Sequence, residues 1–240
     1  MLDGDAMRLR GVLFDLDGVL IDSLRSIGTS LNHALVALGR EPLPLAALRS
    51  RIGPPIEESA AELLGSREPA LVARFIDRYR ERYAATAIAE TEPADGLAEV
   101  LGELAGRVPL VVATSKAEVY ARPILAALGV DRCFRAIHGR SLALDGETKA
   151  AVIGRALGEF EGRAGGLVMV GDRSHDVVGA AAHGIPTIGV LHGMGSAEEL
   201  RAAGAAWLVR DLRGLPGLLG RIDAAWRAGQ DLRNMSSEPG

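Results

Sequence analysis

Gly11-Val12-Leu13-Phe14-Asp15-Leu16-Asp17-Gly18-Val19-Leu20-Ile21-Asp22-Ser23 is the stretch on which the fold turns. A short β-branched and aromatic run stopped by glycine reads as a buried strand meeting a loop. In an open α/β sheet, ligands sit in the crevice beyond the carboxyl ends of the strands. Asp15 and Asp17 stand at that end. Taking carboxylates out of water is costly unless a cation or a hydrogen-bond donor compensates. Two of them at one strand end suggest a hard metal ion, with one carboxylate free to attack a phosphoryl group. Taken alone, Asp15 to Gly18 would also suit an ordinary Asp-Gly turn.

Further along, four apolar runs repeat the pattern: Val108–Ala113 ending in Thr114-Ser115-Lys116, Ala136–Gly139, Gly166–Gly171 ending in Asp172, and Ile185–Leu191 ending in His192-Gly193. Helical spacing over 119–128, 149–157, 176–183 and 197–203 separates or follows them, and several of these segments stop at glycine. Alternating strands and helices predict a parallel sheet covered on both faces. Residues 23–92 break the rhythm with helical stretches only, among them Leu31, Leu35 and Leu38 at helix spacing. The expected class is α/β, a Rossmann-like parallel-sheet core (residues 1–22 and 93–228) with an inserted α-helical cap (23–92) and a flexible tail (229–240). A bundle inserted there would stand above the first strand's carboxyl end as a lid.

The chain has 240 residues, 48% of them apolar, and a net charge of −4 without long charge runs, so no nucleic-acid partner and no membrane surface are expected. A single cysteine, Cys133, suits a reducing cytoplasm. Lys and Arg total 27, yet lysine stands only at Lys116 and Lys149. In an arginine-rich chain, those two are candidates for work that a planar guanidinium cannot do.

The clusters at the strand ends suit phosphoryl transfer, which depends mainly on positioning and charge stabilisation. Asp15 would attack phosphorus to form an aspartyl-phosphate. Asp17 could protonate the leaving oxygen and then deprotonate the water that releases phosphate. Asp15 and Asp172 would hold Mg²⁺. Thr114 or Ser115, together with a lysine ammonium, would bind the non-bridging oxygens.

DLDGVLIDS, ATSK, the isolated Lys149 and GDRSHD, in that order, resemble the four motifs of the haloacid dehalogenase superfamily of hydrolases over about residues 10–220. Within it the chain looks most like the phosphoglycolate phosphatases, and RIGPPI (51–56) with HGMGS (192–196) resembles their 5′-nucleotidase-like subset. The resemblance implies catalytic roles for Asp15, Asp17 and Lys149 and metal binding by Asp15, Asp172 and the backbone carbonyl of Asp17. It also implies support of the metal site by Asp176, and phosphate binding by Thr114, Ser115, Lys116 and Gly18. Asp17 argues against the halide-removing branch, which lacks that residue. Lys149 precedes Ala150 where many relatives carry Lys-Pro.

Other roles stay open at this level. Ser115 could cap the helix after Lys116, bind phosphate, or both. Arg51 either decorates the cap or recognises an anionic part of the substrate. His175 reads as a surface or hinge residue, the other histidines receive no role, and Trp207 and Trp226 read as packing residues. The expected partner is a small phosphorylated metabolite, phosphoglycolate or similar. A nucleoside 5′-monophosphate is an alternative substrate, and a sugar phosphomutase an alternative activity.

Overall fold

The computed structural model describes residues 8–142 and 146–230. From residue 231 onward, the tail expected at 229–240 lies outside the described residues. Strand β1 (Gly11–Phe14) leads through a compact loop to β2 (Ile21–Asp22), and the chain then runs through four helices. These are α1 (Leu24–Ala37), α2 (Leu45–Leu48), α3 (Ile56–Leu64) and α4 (Pro69–Thr86), after which β3 (Glu92–Pro93) pairs antiparallel with β2. Helix α5 (Leu97–Ala105), β4 (Leu110–Ala117), α6 (Glu118–Ala127), β5 (Phe134–Arg140), α7 (Lys149–Ala156) and β6 (Leu167–Gly171) follow. The chain closes with α8 (Ser174–Ala181), β7 (Thr187–Val190), α9 (Ala197–Ala203), β8 (Trp207–Val209) and α10 (Leu215–Arg227).

Six strands form one sheet in the order β5-β4-β1-β6-β7-β8, every pair parallel. Both faces are covered, as parallel strands require. Val12 and Phe14 face the side packed by α5, α6 and α10, whereas Leu13 faces α7 with Val111 and Met169. The apolar cluster on the first side continues into the inserted helices, where Leu31 and Leu35 of α1 meet Phe75 and Tyr79 of α4. No helix among the described residues is long and apolar enough to cross a membrane.

β1 lies between β4 and β6, where the strand order reverses, so the chain ends of these three strands converge on one crevice. One boundary departs from expectation. The apolar run at 108–113 does not hand over to a loop at Thr114. β4 continues to Ala117 through a bulge: Ala113 pairs with His138 and Ala117 with Arg140, so extra residues on β4 oppose a shorter stretch of β5. Bulges at a sheet rim re-aim side chains, and this one carries Thr114, Ser115 and Lys116.

The inserted helices are pinned where the chain returns to the sheet. The Arg82 guanidinium grips Glu90 through two hydrogen bonds of 2.9 and 2.8 Å, and Thr29 Oγ1 donates to Glu90 at 2.9 Å. The Arg82 hydrogen bonds outweigh burial and hold the Glu90 carboxyl down to about 2. A carboxyl depressed from 4.5 favours the folded state fully above that ordinary value and loses its contribution as pH falls towards 2. Glu90→Gln should therefore lower stability at pH 7 by about 1 kcal/mol. Thermal melts of the two proteins should converge between pH 4.5 and 2, and a constant difference across that range would contradict this reading.

Candidate active site

Asp15 emerges from β1 with its amide donating to the Val170 carbonyl of β6 at 2.9 Å. Its side chain is buried, with Oδ1 2.8 Å from Lys149 Nζ. Lys149 is the first residue of α7, whose preceding Thr148 caps the helix by accepting from the Ala151 amide. A cation at a helix N-terminus opposes the helix dipole, so local structure does not favour lysine there. Two carboxylates compensate: Nζ also lies 2.6 Å from Asp176 Oδ1. Burial pushes the Lys149 ammonium towards neutrality, but Asp15 and Asp176 outweigh it and hold its pKa above the ordinary lysine value. The stem is wrapped as closely as the head, since a Cβ placed on Gly179 would come within 2.9 Å of Lys149 Cγ.

Asp176 has a second task. Its Oδ2 accepts from the amides of Asp172 and Arg173, both at 3.1 Å, satisfying donors at the start of α8. Asp172 is fully buried between glycines. A Cβ on Gly18 or Gly193 would overlap its carboxylate, and one on Gly195 would overlap its carbonyl. Gly18 also adopts φ +77°, a left-handed conformation that favours glycine. Asp172 Oδ2 accepts from the Met194 amide at 2.6 Å, while Oδ1 is buried without a hydrogen-bond partner among the described residues. Burial, then Asp176, then Asp15 push the Asp172 carboxyl well above its usual range, and burial and Asp15 also raise Asp176.

Carboxylate oxygens of Asp15, Asp172 and Asp176 lie within 4.8 Å of one another. An all-oxygen set with one orphaned carboxylate oxygen fits a hard divalent cation, which would also relieve the repulsion among the acids.

Asp17 sits apart from this cluster, its Oδ1 2.9 Å from Lys116 Nζ. Lys116 also donates to the Tyr83 hydroxyl of α4 at 2.5 Å. Burial would lower the Lys116 pKa, but Asp17 and then Tyr83 hold it above the ordinary lysine value. Asp15 and Asp17 open into a cavity lined by Thr114, Ser115 and Lys116 from β4 and by Arg51, Tyr79, Arg80 and Tyr83 from the inserted helices. The inserted segment is latched over it: Arg49 donates to the Gly193 carbonyl and Arg173 to the Ile52 carbonyl, each at 2.6 Å, and Arg140 pairs with Glu57.

The expected residues divide in physical role. Asp15, Lys149, Asp172 and Asp176 come together, and Asp17 with Lys116 stands beside them. Three details differ from the sequence reading. Gly18 donates its amide to the Ile21 carbonyl at 2.8 Å, so its contribution is space for Asp172 and not a free donor for phosphate. The cap of α6 is Ala117 with no side-chain bond, so Ser115 does not cap that helix. His175, read as a surface or hinge residue, is half-buried with its Nε2 enclosed and without a hydrogen-bond partner among the described residues. Arg51 reaches the cavity but is ion-paired with Glu62. Tyr79, Tyr83, Tyr120 and Arg80 were not singled out from sequence. The signal was available, because these are all three tyrosines of the chain and their rarity parallels that of lysine.

A model of the haloacid dehalogenase-like hydrolases matches residues 12–190. A 5′-nucleotidase of Pseudomonas aeruginosa is 40% identical over 212 residues, covering 88% of this chain and 95% of that protein. Tyrosine-protein kinase PtkA of Mycobacterium tuberculosis is 44% identical over 191 residues, 78% of this chain, which spans only 64% of PtkA. Among solved structures, a predicted phosphatase from Clostridium acetobutylicum superposes with a TM-score of 0.82 at 35% identity, covering 90% of this chain and 98% of that one.

The raised Asp172 carboxyl yields a test. Without a cation, its ionised form disfavours folding, so stability should fall as pH rises from the ordinary aspartate value through the elevated one. Metal-free Asp172→Asn should melt no lower than metal-free wild type at pH 8, and an excess of divalent cation should stabilise wild type by about 2–3 kcal/mol but not the variant. A variant that melts well below wild type without metal would contradict the crowded-carboxylate account.

Proposed function

This chain belongs to the haloacid dehalogenase-like hydrolase family and is a phosphoric monoester hydrolase, and from that premise we propose a Mg²⁺-dependent phosphatase that works through a phosphorylated Asp15. The observation that carries the proposal is the Asp15 carboxylate at the end of β1, held by the Lys149 ammonium at 2.8 Å and within 4.8 Å of a carboxylate oxygen of Asp172, whose Oδ1 has no hydrogen-bond partner among the described residues. Mg²⁺ held by Asp15, Asp172 and the Asp17 backbone carbonyl would supply the positive charge that lets an anionic nucleophile approach an anionic phosphate.

An Asp15 carboxylate oxygen forms a bond to phosphorus as the bond from phosphorus to the ester oxygen breaks, and Asp17 gives its proton to that departing oxygen. Asp17, now a carboxylate, takes a proton from water as the water oxygen bonds to phosphorus. The bond from phosphorus to Asp15 breaks, which releases inorganic phosphate and restores both side chains. Thr114 and Ser115, aimed by the bulge in β4, bind the non-bridging oxygens. Lys149 holds Asp15 in line and stabilises charge on the transferring group. Residues 23–92 serve as a cap that excludes water from the cavity, and a cytoplasmic setting suits the single cysteine.

For substrate, the cavity wall favours a phosphomonoester with a second anion, of which phosphoglycolate is a simple example. Arg51 and Arg140 are paired with Glu62 and Glu57, whereas Arg80 lines the cavity without a close ion pair among the described residues, near enough to Glu57 only to help lower that carboxyl. An unpaired guanidinium suits a carboxylate at the far end of the substrate. Similarity to the P. aeruginosa 5′-nucleotidase supports nucleoside monophosphates as a second reading. Similarity to PtkA supports a third, in which a tyrosine hydroxyl replaces water as acceptor. A sugar phosphomutase would return the phosphate to its substrate.

Two measurements separate these. Purified protein with Mg²⁺ should release inorganic phosphate from simple esters, and Asp15→Asn should lower release at least a thousandfold while keeping its melting temperature. Near-normal release by the variant would eliminate Asp15 as nucleophile, and transfer without net release would point to a mutase or a kinase. Arg80→Met should reduce the preference for phosphoglycolate over ethyl phosphate, measured as a ratio of kcat/KM, by about tenfold or more. An unchanged ratio, or a wild-type preference for nucleoside monophosphates, would remove the second-anion reading.

A further inference from the structure

Asp17 must do more than carry a proton. To serve first as acid and then as base, its carboxyl has to present one oxygen to the ester oxygen and later to water, without rotating away. One oxygen is held: Oδ1 lies 2.9 Å from Lys116 Nζ, and both side chains are almost wholly buried. Lys116 is in turn held from the opposite side of the cavity, donating to the Tyr83 hydroxyl at 2.5 Å with its ammonium 4.9 Å from that ring's centroid.

Tyr83 has little freedom to follow a wandering lysine. It is 1% exposed. Its ring stacks on Tyr79 one helical turn earlier, at 5.3 Å and 12° between planes. It also meets Tyr120 of α6 edge-on, at 5.1 Å and 85°. Tyr79 and Tyr83 belong to α4 in the inserted segment, whereas Tyr120 and Lys116 belong to elements of the sheet layer. The aromatic stack and the Lys116 bond therefore join the two parts of the molecule beside Asp17. A lysine committed only to substrate would not require a buried phenol behind it. The Lys116 ammonium donates to Tyr83 and pairs its charge with Asp17 Oδ1 at 2.9 Å, and of its three donors at least one is left for the phosphate.

We propose that Tyr83 and Lys116 are positioning residues that aim the Asp17 carboxyl, so that the acid/base group is set in place only while α4 is seated on the sheet layer. Tyr83 fixes the ammonium, the ammonium fixes Oδ1, and Oδ2 is left to face the reacting oxygen. Seating of the inserted helices and assembly of the proton-transfer geometry are then one event, which suppresses unproductive attack when the segment is lifted. The proposal rests on the phosphatase reading above, in which Asp17 supplies the proton to the leaving oxygen.

The leaving group supplies the test. An alkyl phosphate needs that proton, whereas p-nitrophenyl phosphate expels a stable phenolate and scarcely needs it, and kcat/KM reports the step up to departure of the leaving group. For each protein, the kcat/KM on p-nitrophenyl phosphate is divided by that on an alkyl phosphate. Tyr83→Phe keeps the ring stack and removes only the hydroxyl, and it is expected to raise this ratio about tenfold. Lys116→Met is expected to raise it further, towards a hundredfold, in line with the cost of misplacing a general acid. Melting temperatures check that both variants fold. Equal losses on the two esters, or no loss on either, would overturn the positioning role and leave the phosphatase reading standing. Failure of wild type to hydrolyse either ester would overturn both.

Discussion

The constraint on which this structure depends is the crowding of three buried carboxylates around one ammonium. Asp15, Asp172 and Asp176 come close enough for their oxygens to share a cation, and Lys149 pairs with two of them. Apolar burial alone would not assemble such a group, because each acid loses water and repels the next. The surrounding sequence offsets that cost with donors and space. The Met194 amide and the two amides at the start of α8 supply donors, and glycines at 18, 193 and 195 let the backbone close on Asp172 without collision. On the proposed reading, a divalent cation and a phosphate would complete this site by neutralising the crowded acids.

Around this hub the fold separates two tasks. The parallel sheet fixes Asp15, Lys149, Asp172 and Asp176 on strand ends and helix starts, which are the stiffest positions available. The inserted segment carries Tyr79, Tyr83, Arg51 and Arg80 on the cavity wall, and α6 adds Tyr120. Arg49 with Gly193 and Arg173 with Ile52 hold the two together through backbone carbonyls, beside the side-chain contacts of Lys116 with Tyr83 and Arg140 with Glu57.

Much of this was legible in the amino-acid order. Continuous apolar runs marked β1, β4 and β6, and because a buried parallel strand must stop where polar groups begin, the residues after each run located the crevice. What escaped has physical reasons. Trp207–Val209 is too short for a period to be read, and α10 carries Gly217 and Gly220, weak helix formers overridden by the burial of Leu218, Leu219 and Ile222. The bulge that turns Lys116 towards Asp17 depends on pairing with β5, which no local window contains. Gly18 belongs to the same class: its need for space arises from Asp172, far away in sequence. Tyr79 and Tyr83 are one helical turn apart in α4, a spacing that does not by itself separate a site from a core face, and only the scarcity of tyrosine in the chain sets them apart.

The central claim, that phosphate passes through Asp15, is tested most directly by trapping it. Mixing the protein with Mg²⁺ and a labelled phosphomonoester, quenching in acid within a turnover and mapping the peptides should place the label on Asp15, on a bond that hydroxylamine cleaves as it does an acyl phosphate. Label on a histidine, serine or tyrosine, or turnover with no protein-bound label at any time, would contradict the account.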